Sequence, residues 1–417
     1  MDPSPSRRGL NARLPLSLAA AALLASPGLA QDVDIGGQVR QRAEAIDAPR
    51  FGLDGDRETD AYVLQRILLR AETRIEPVRV VVELGAHEAW GKRRLAPPDE
   101  NHLDLQQGFA EFAQSGLTVR LGRQEIVLDE AQRFVSYRDG ANIRQSYDGA
   151  RIAYEQGGTR VDAFLTRPVA IERGVFDDGS DEGQSFGGLY LTQRIGTETP
   201  ITLGGYWLRL GRELPAGIER RDSFGVRVAG KRSGWEWDAE GMLQRGRRGT
   251  RKIRAWGVSA DLGYNLDLPA KPRVGLRLDA GSGDDPTDAA LGSFHPLFPK
   301  GGHFDEAGLT TFTNLVALRA SVRLRPTPKL SLEAATQGKW RENRDDAVYT
   351  LPSIPLAATL GNRARGIGQS DSLDARWKAS KALTMHAQYV RHQAGAAIRL
   401  AGGASVDFAM LSAALRF

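Results

Sequence analysis

Between residues 315 and 325 apolar and polar side chains alternate. Val316, Leu318, Ala320, Val322 and Leu324 fall in one phase, and Arg319, Ser321, Arg323 and Arg325 in the other. The pattern breaks at Pro326-Thr327-Pro328 and then resumes, with Leu330, Leu332 and Ala334 against Ser331, Glu333 and Gln337. The same period recurs where Val274, Leu276 and Leu278 alternate with Arg273, Arg277 and Asp279. It recurs again where Phe224, Val226 and Val228 flank Arg227, and where Trp235, Trp237 and Ala239 alternate with Glu236, Asp238 and Glu240. A period of two marks strands with one apolar and one polar face. Helical periodicity of comparable length is absent. A sheet wetted on one side produces this pattern, and so does a wall with lipid outside and water inside.

The connections favour the second arrangement. Short breaks fall at 76–77, 114–116, 156–158, 196–200, 233–234, 268–272, 326–328 and 380–381. Longer polar stretches fall at 49–60, 91–104, 128–147, 170–183, 211–221, 281–310 and 342–366, with further breaks at 247–251 and 395–403. The two kinds alternate, eight short turns with nine upper connections, which predicts about 18 strands with both chain ends on the short-turn side. The expected fold is all-β: a transmembrane antiparallel up-and-down β-barrel with short periplasmic turns and longer extracellular loops. It forms one domain over residues 31–417. An arginine facing lipid near the midplane costs ~2–4 kcal/mol, so Arg319 and Arg323 set the register by facing inward. Trp235, Trp237, Trp256, Tyr264, Trp340, Trp377 and Tyr389 suit interfacial girdles. The last strand carries Ala409, Leu411, Ala413, Leu415 and Phe417 on one face. A closing aromatic of this kind resembles the signal read by the outer-membrane assembly machinery. The expected surroundings are the lipid bilayer and lipopolysaccharide.

Composition adds a destination. Arg7, Arg8 and Arg13 precede an apolar run at 14–24, and small residues Gly28 and Ala30 follow at cleavage spacing. Residues 1–30 read as a secretory signal peptide cut after Ala30, so the chain is exported to the outer membrane. No later stretch is long and apolar enough for a transmembrane helix. The chain has no cysteine, which rules out disulfides and thiolate metal sites. The formal charge of +5 becomes about +3 once the three arginines and one aspartate of the signal are removed. Acids and bases nearly balance and the bases are dispersed, so no nucleic-acid partner is expected.

Enzymatic motifs are missing. The histidines are His87, His102, His295, His303, His386 and His392, with no HExxH pair, and there is no GxSxG or P-loop. Two acidic runs, Asp177-Asp178 with Asp181 and Glu182, and Asp284-Asp285 with Asp288, offer oxygen ligands for Ca²⁺. Neither has EF-hand spacing, and solvated loop charge is the ordinary reading. No cofactor is expected. The inward phase collects Arg40, Arg66, Arg70, Arg74, Arg120, Arg151, Arg227, Arg277, Arg319, Arg323 and Arg376. Glu83, Glu236, Asp238, Glu240, Asp279, Glu333 and Asp374 share it. Each residue alone could simply pair across the wall. Together, a surplus of guanidinium suits anions, since it binds carboxylates in a fork, while interspersed acids keep each contact weak enough for release.

Two blocks carry a family likeness: LGRQEIVLDEAQRFVS at 121–136 with IRQSYDGARIAY at 143–154, and DAGSGDDPTDAALGSFHPLFP at 279–299. They resemble the alginate-export family of bacterial outer-membrane porins. The resemblance implies a monomeric 18-stranded barrel with an arginine-lined pore. Arg123, Gln124, Glu125, Arg133, Asp148 and Arg151 lie in its pore-side blocks. Simple alternation puts Arg123 on the lipid side, so Gly122 is expected to mark a bulge or kink. The expected function is a channel for anionic solutes, in the specific version an exporter of an alginate-like uronate polysaccharide. The alternative is a general or small-carboxylate uptake porin. A membrane-embedded enzyme and a closed structural or adhesin barrel stand outside transport.

Overall fold

The computed structural model describes residues 33–417, so the signal-peptide expectation lies outside the described residues. The strands in chain order begin with β1 (Val33–Ile46), β2 (Asp60–Ile75), β3 (Val78–Trp90), β4 (Asn101–Gln114) and β5 (Leu117–Gln124). Next come β6 (Tyr147–Gln156), β7 (Thr159–Ala170), the two-residue β8 (Gly179–Ser180), β9 (Gln184–Ile195) and β10 (Ile201–Leu214). Then follow β11 (Gly217–Arg232), β12 (Trp235–Arg248), β13 (Arg251–Asn265), β14 (Arg273–Gly281), β15 (Leu315–Thr327) and β16 (Leu330–Trp340). After a small hairpin of β17 (Val348–Thr350) and β18 (Ile354–Leu356), β19 (Gly366–Lys378), β20 (Leu383–Ala394) and β21 (Val406–Arg416) end the chain. Leaving out the short β8, β17 and β18, 18 strands form one closed antiparallel barrel among the described residues.

Closure is direct. β21 pairs with β1 from Gln38↔Arg416 to Ile46↔Phe408, and the Gly37 N–H donates to the Phe417 carbonyl at 2.9 Å. A closed barrel leaves no edge strand, so every wall amide can find a ladder partner, which lipid cannot supply. The phase agrees with the sequence: Leu318 and Val322 are exposed on the outer face, while Arg319, Ser321 and Arg323 border the interior. Outer-face residues such as Leu165 (73% exposed) and Val226 (68% exposed) have no protein cover. Such a band suits contact with acyl chains. Trp235, Tyr264 and Trp377 are exposed near the lower strand ends, with Trp90 and Trp340 at upper ends, as interfacial girdles require.

Two features depart from expectation. The connection placed at 211–221 is no loop: β10 runs to Leu214 and β11 starts at Gly217, paired to Leu214↔Gly217. Polar residues there belong to strands that rise past the apolar belt, where polarity no longer signals an end. At Gly122 the register passes through without a shift (Phe109↔Gly122↔Gly149), so there is no bulge, and the irregularity lies in the backbone conformation. Its φ is +122°, and a Cβ there would lie 2.3 Å from the Gly108 carbonyl oxygen. Only glycine fits such a position.

The barrel is not empty. The third upper loop (125–146) and the seventh (282–314) fold inward and bring aromatic residues into the lumen. Phe134 packs on Phe294 and Phe312 at 5.5 and 5.0 Å between ring centroids, and Phe298 packs on Phe186 and Tyr147 at 4.8 and 5.2 Å. A water-exposed plug would drift. An aromatic core anchored to the wall gives the loops a fixed position.

Candidate functional site

The wall places charge and the loops meet it. In β1, Arg40 donates to the carbonyls of Asp139 and Ala141, each at 2.8 Å. Arg42, one step along the same face, donates to the Gly140 carbonyl at 2.9 Å and pairs with Glu306 at 3.1 Å. Arg66 of β2 reaches Asp139 Oδ1 at 2.8 Å. Across the lumen Arg133 pairs with Asp238 at 2.8 Å and Glu240 at 3.4 Å. The third loop therefore spans the interior between β1–β2 and β12. It joins the seventh loop through Ser136 N–H to the Phe298 carbonyl (2.9 Å) and Phe298 N–H to the Phe134 carbonyl (3.0 Å). Asp305 of the seventh loop is held by buried Lys339 at 3.0 Å.

Below and beside these loops lies a cavity of about 1280 Å³, bordered by β1, β2, β13–β16 and β19–β21 and reaching the turns near Ala270 and Pro328. Among the described residues its lining holds ten arginines and four lysines against six carboxylates, a surplus of eight positive charges with the histidines neutral. Among the lining residues three rungs set arginines face to face, Arg40↔Arg66, Arg273↔Arg323 and Arg277↔Arg319, and one sets acids so, Glu333↔Asp374. Like charges directly opposite cost stability. Carboxylates at the flanks offset this in part. Glu333 takes Arg319 at 2.5 Å and Arg323 at 2.8 Å, Asp261 takes Arg273 at 2.5 Å, and Asp279 takes Arg277 at 2.9 Å.

The loop groups are tuned by burial. It pushes the Glu125 carboxyl up to about 7, against the pull of Arg144 at 2.7 Å. It brings His303 down to about 4 despite Asp279 at 2.9 Å. Burial would raise Asp139, yet Arg66 and Arg40 beside it hold its carboxyl below the ordinary value. Burial, then Arg376, lowers the Lys300 amine.

Of the residues expected to face inward, Arg40, Arg66, Arg277, Arg319, Arg323, Glu333, Asp374 and Arg376 border the cavity. The others lie elsewhere on the inner wall or are sealed. Arg70 pairs with Glu72 at 2.8 Å, and Arg74 pairs with Glu76 at 3.5 Å by the lower turn. Arg120 pairs with Glu111 and lies 4.2 Å over the Phe109 ring. Arg151 pairs with Asp162 at 2.6 Å, Arg227 with Asp238 at 2.6 Å, and Asp279 is wholly buried among Ser259, Arg277 and His303. Arg123 forks onto Asp148 at 2.8 and 3.1 Å and is sealed at the upper rim by the Leu105 and Asp178 carbonyls, so it does not border the cavity. Glu125 and Arg133 act within the third loop's own anchoring. Arg325 borders the cavity as its phase predicts, while Arg42, Arg273, Arg416 and Lys300 border it and were missed. For Arg42 the signal was present, since it alternates with Arg40. Lys300 comes from a folded-in loop and no period reveals it.

The Ca²⁺ expectation at Asp284, Asp285 and Asp288 meets a different chemistry. Asp284 forks onto Arg251 at 2.9 and 3.0 Å, Asp285 accepts from Thr287 at 2.7 Å, and Asp288 caps the Ala290 N–H at 3.0 Å. Among the described residues these three carboxylates do not bring their oxygens to a common point.

The alginate export family model matches residues 31–412. No curated protein matches the sequence. The barrel is similar to solved Pseudomonas aeruginosa structures. OccK2 (OpdF) shares 14% identity with a TM-score of 0.63, over 93% of this chain and 98% of that one. Its complex with glucuronate shares 14% identity with a TM-score of 0.61, over 93% and 96%. OpdK with vanillate shares 12% identity with a TM-score of 0.60, over 92% and 98%. Fold and family together are those of an integral outer-membrane channel. With its model matching nearly the whole chain, the protein belongs to the alginate export family.

Proposed function

We propose that the channel passes carboxylate-bearing anions, with uronate units as the substrate class. The observation that carries this is the surplus of eight positive charges lining the cavity, arranged so that arginines face arginines across β14 and β15. An entering carboxylate gains the fork of a guanidinium, and the flanking Glu333 and Asp261 compete for it, so that each contact stays brief. The glucuronate and vanillate bound by two of the similar barrels are both carboxylates, which supports the same chemistry.

The inward loops narrow the lumen, which favours monomers and short oligomers. Export of a uronate polysaccharide is the second reading, supported by the family's description. We further infer that the chain acts as a monomer, that lipopolysaccharide surrounds it, and that the assembly machinery reads its last strand through Phe417.

The test is reversal potential in planar bilayers under a salt gradient. The wild type is expected to prefer anions, and Arg319→Gln with Arg323→Gln to lower the anion-to-cation permeability ratio several-fold. An unchanged ratio overturns the proposal. Uronate oligomers of increasing length separate the two readings: block by long chains without transport favours small-solute passage.

A further inference from the structure

The fourth upper loop (171–183) carries an acidic run that the solute pathway does not use. Its position follows from the wall. β5 pairs with β4 only from Gly108↔Arg123 downward, so the upper part of β4 lacks a strand on that side. The fourth loop takes the place. Val175 bridges Leu103, the Phe176 N–H donates to the Leu103 carbonyl at 2.9 Å, and the Asp178 N–H donates to Asp104 Oδ2 at 2.9 Å. This draws Asp104, Asp177 and Asp178 together, with one oxygen from each within 4.8 Å of the others. The guanidinium of Arg123 stands 3.5 Å from Asp104, but its fork is already taken by Asp148. Backbone N–H groups meet part of each carboxylate (Leu105 on Asp104 at 2.6 Å, Gly174 on Asp177 at 3.0 Å, Glu172 on Asp178 at 2.7 Å), but these donors are neutral and leave three negative charges beside the one shared guanidinium.

A second observation points to a ligand. Asn101 has 0% exposure; its Nδ2 donates to Asp178 Oδ2 at 3.0 Å, and its Oδ1 has no partner among the described residues. His87, its register partner, is also buried, and neither of its ring nitrogens has a partner among the described residues. The ring leans over Gly85, where a Cβ would come 2.6 Å from Cε1, and Gly85 is the register partner of Asp104. Asn101, His87, Asp104 and Asp178 line one small cavity of about 10 Å³. That is room for about one water. An orphaned buried amide oxygen costs stability unless something meets it.

We propose that Asp104, Asp177, Asp178 and the Asn101 amide oxygen bind Ca²⁺, with one water in the cavity completing the shell and donating to His87. Hard oxygen donors in a loosely shaped set suit Ca²⁺, which accepts six to eight oxygens in flexible geometry. The ion fastens the fourth loop to β4 and closes the wall where β5 ends. This goes beyond the transport function and does not depend on it.

The full chain, stripped with EDTA in detergent free of lipopolysaccharide, is titrated with CaCl₂. Binding is followed by calorimetry, and stability by loss of heat-modifiable gel migration. Saturable binding of one ion is expected in the range on the order of 10⁻⁵–10⁻³ M, with a raised melting temperature. Asp178→Asn and Asp177→Asn should each weaken binding at least tenfold, and Asp285→Asn should leave it unchanged. Asp177 is exposed, so its variant should fold. Absence of saturable binding, an equal rise with NaCl at matched ionic strength, or unchanged affinity in Asp177→Asn overturns the proposal.

Discussion

Arg341 shows what a single buried guanidinium does in this barrel. Wholly buried at the top of the wall, it donates to the carbonyls of Asp346 (3.0 Å), Thr359 (3.2 Å) and Ala364 (2.9 Å) and to Asn362 Oδ1 (3.0 Å). These acceptors all lie in the eighth upper loop (341–365), so one side chain organises that loop. Arg341→Ala would leave several buried carbonyls unmet, at ~1–3 kcal/mol each. A loss of about 3 kcal/mol or more is expected in urea unfolding in detergent, with new protease cleavage inside the eighth loop. The role was invisible in the sequence, because Arg341 stands just past a strand and its partners are carbonyls, which every residue carries. Arg319 and Arg323 were legible for the opposite reason: their role follows from phase, and phase is written in the neighbours. Arg123 was misplaced because phase says nothing about a loop that folds back over the rim.

At the scale of elements, the third loop is held from both sides. Asp139 meets Arg66 and Arg40, and Arg133 meets β12. Asp139→Asn keeps the shape and removes the charge that Arg66 holds. Larger and noisier single-channel conductance is expected, read in planar bilayers. The pH dependence has a definite sign. The Asp139 carboxyl is held below its ordinary value near 3.8, so its anchoring contribution is complete above that pH. It is lost as pH falls through the depressed value. Wild-type conductance noise should therefore rise only in strong acid, while Asp139→Asn shows it already at neutral pH. If both behave alike at neutral pH, the anchor is not electrostatic. The loop's existence was readable as a polar stretch between strands. Its inward fold was not, because Phe134 and Val135 find their partners, Phe294, Phe298 and Phe312, about 160 to 180 residues further on.

The whole molecule is a wall between two solvents, and that makes substitutions asymmetric. Val226 stands fully on the outer face and Ser372 on the cavity. Val226→Arg should cost ~2–4 kcal/mol if it meets the bilayer midplane, and less near the interface. Ser372→Arg should cost little and strengthen anion preference. Folding titrations into lipid vesicles measure the first and reversal potentials the second. Equal costs for the two would mean that the outer face does not meet lipid.

The alternation of side chains and the sorting of short from long connections were enough to specify the strand number, the closed antiparallel barrel and the inward phase of Arg319 and Arg323. All of these are local. A strand declares its faces with a period of two, and lipid tolerates no other assignment. Only the tertiary structure decided which inward charges border the open cavity, which are sealed, and that two loops narrow the lumen. Those outcomes depend on aromatic contacts and ion pairs between residues far apart in the chain, such as Arg133 with Asp238 and Arg42 with Glu306. Distance along a sequence carries no record of which distant partner a folded loop will meet.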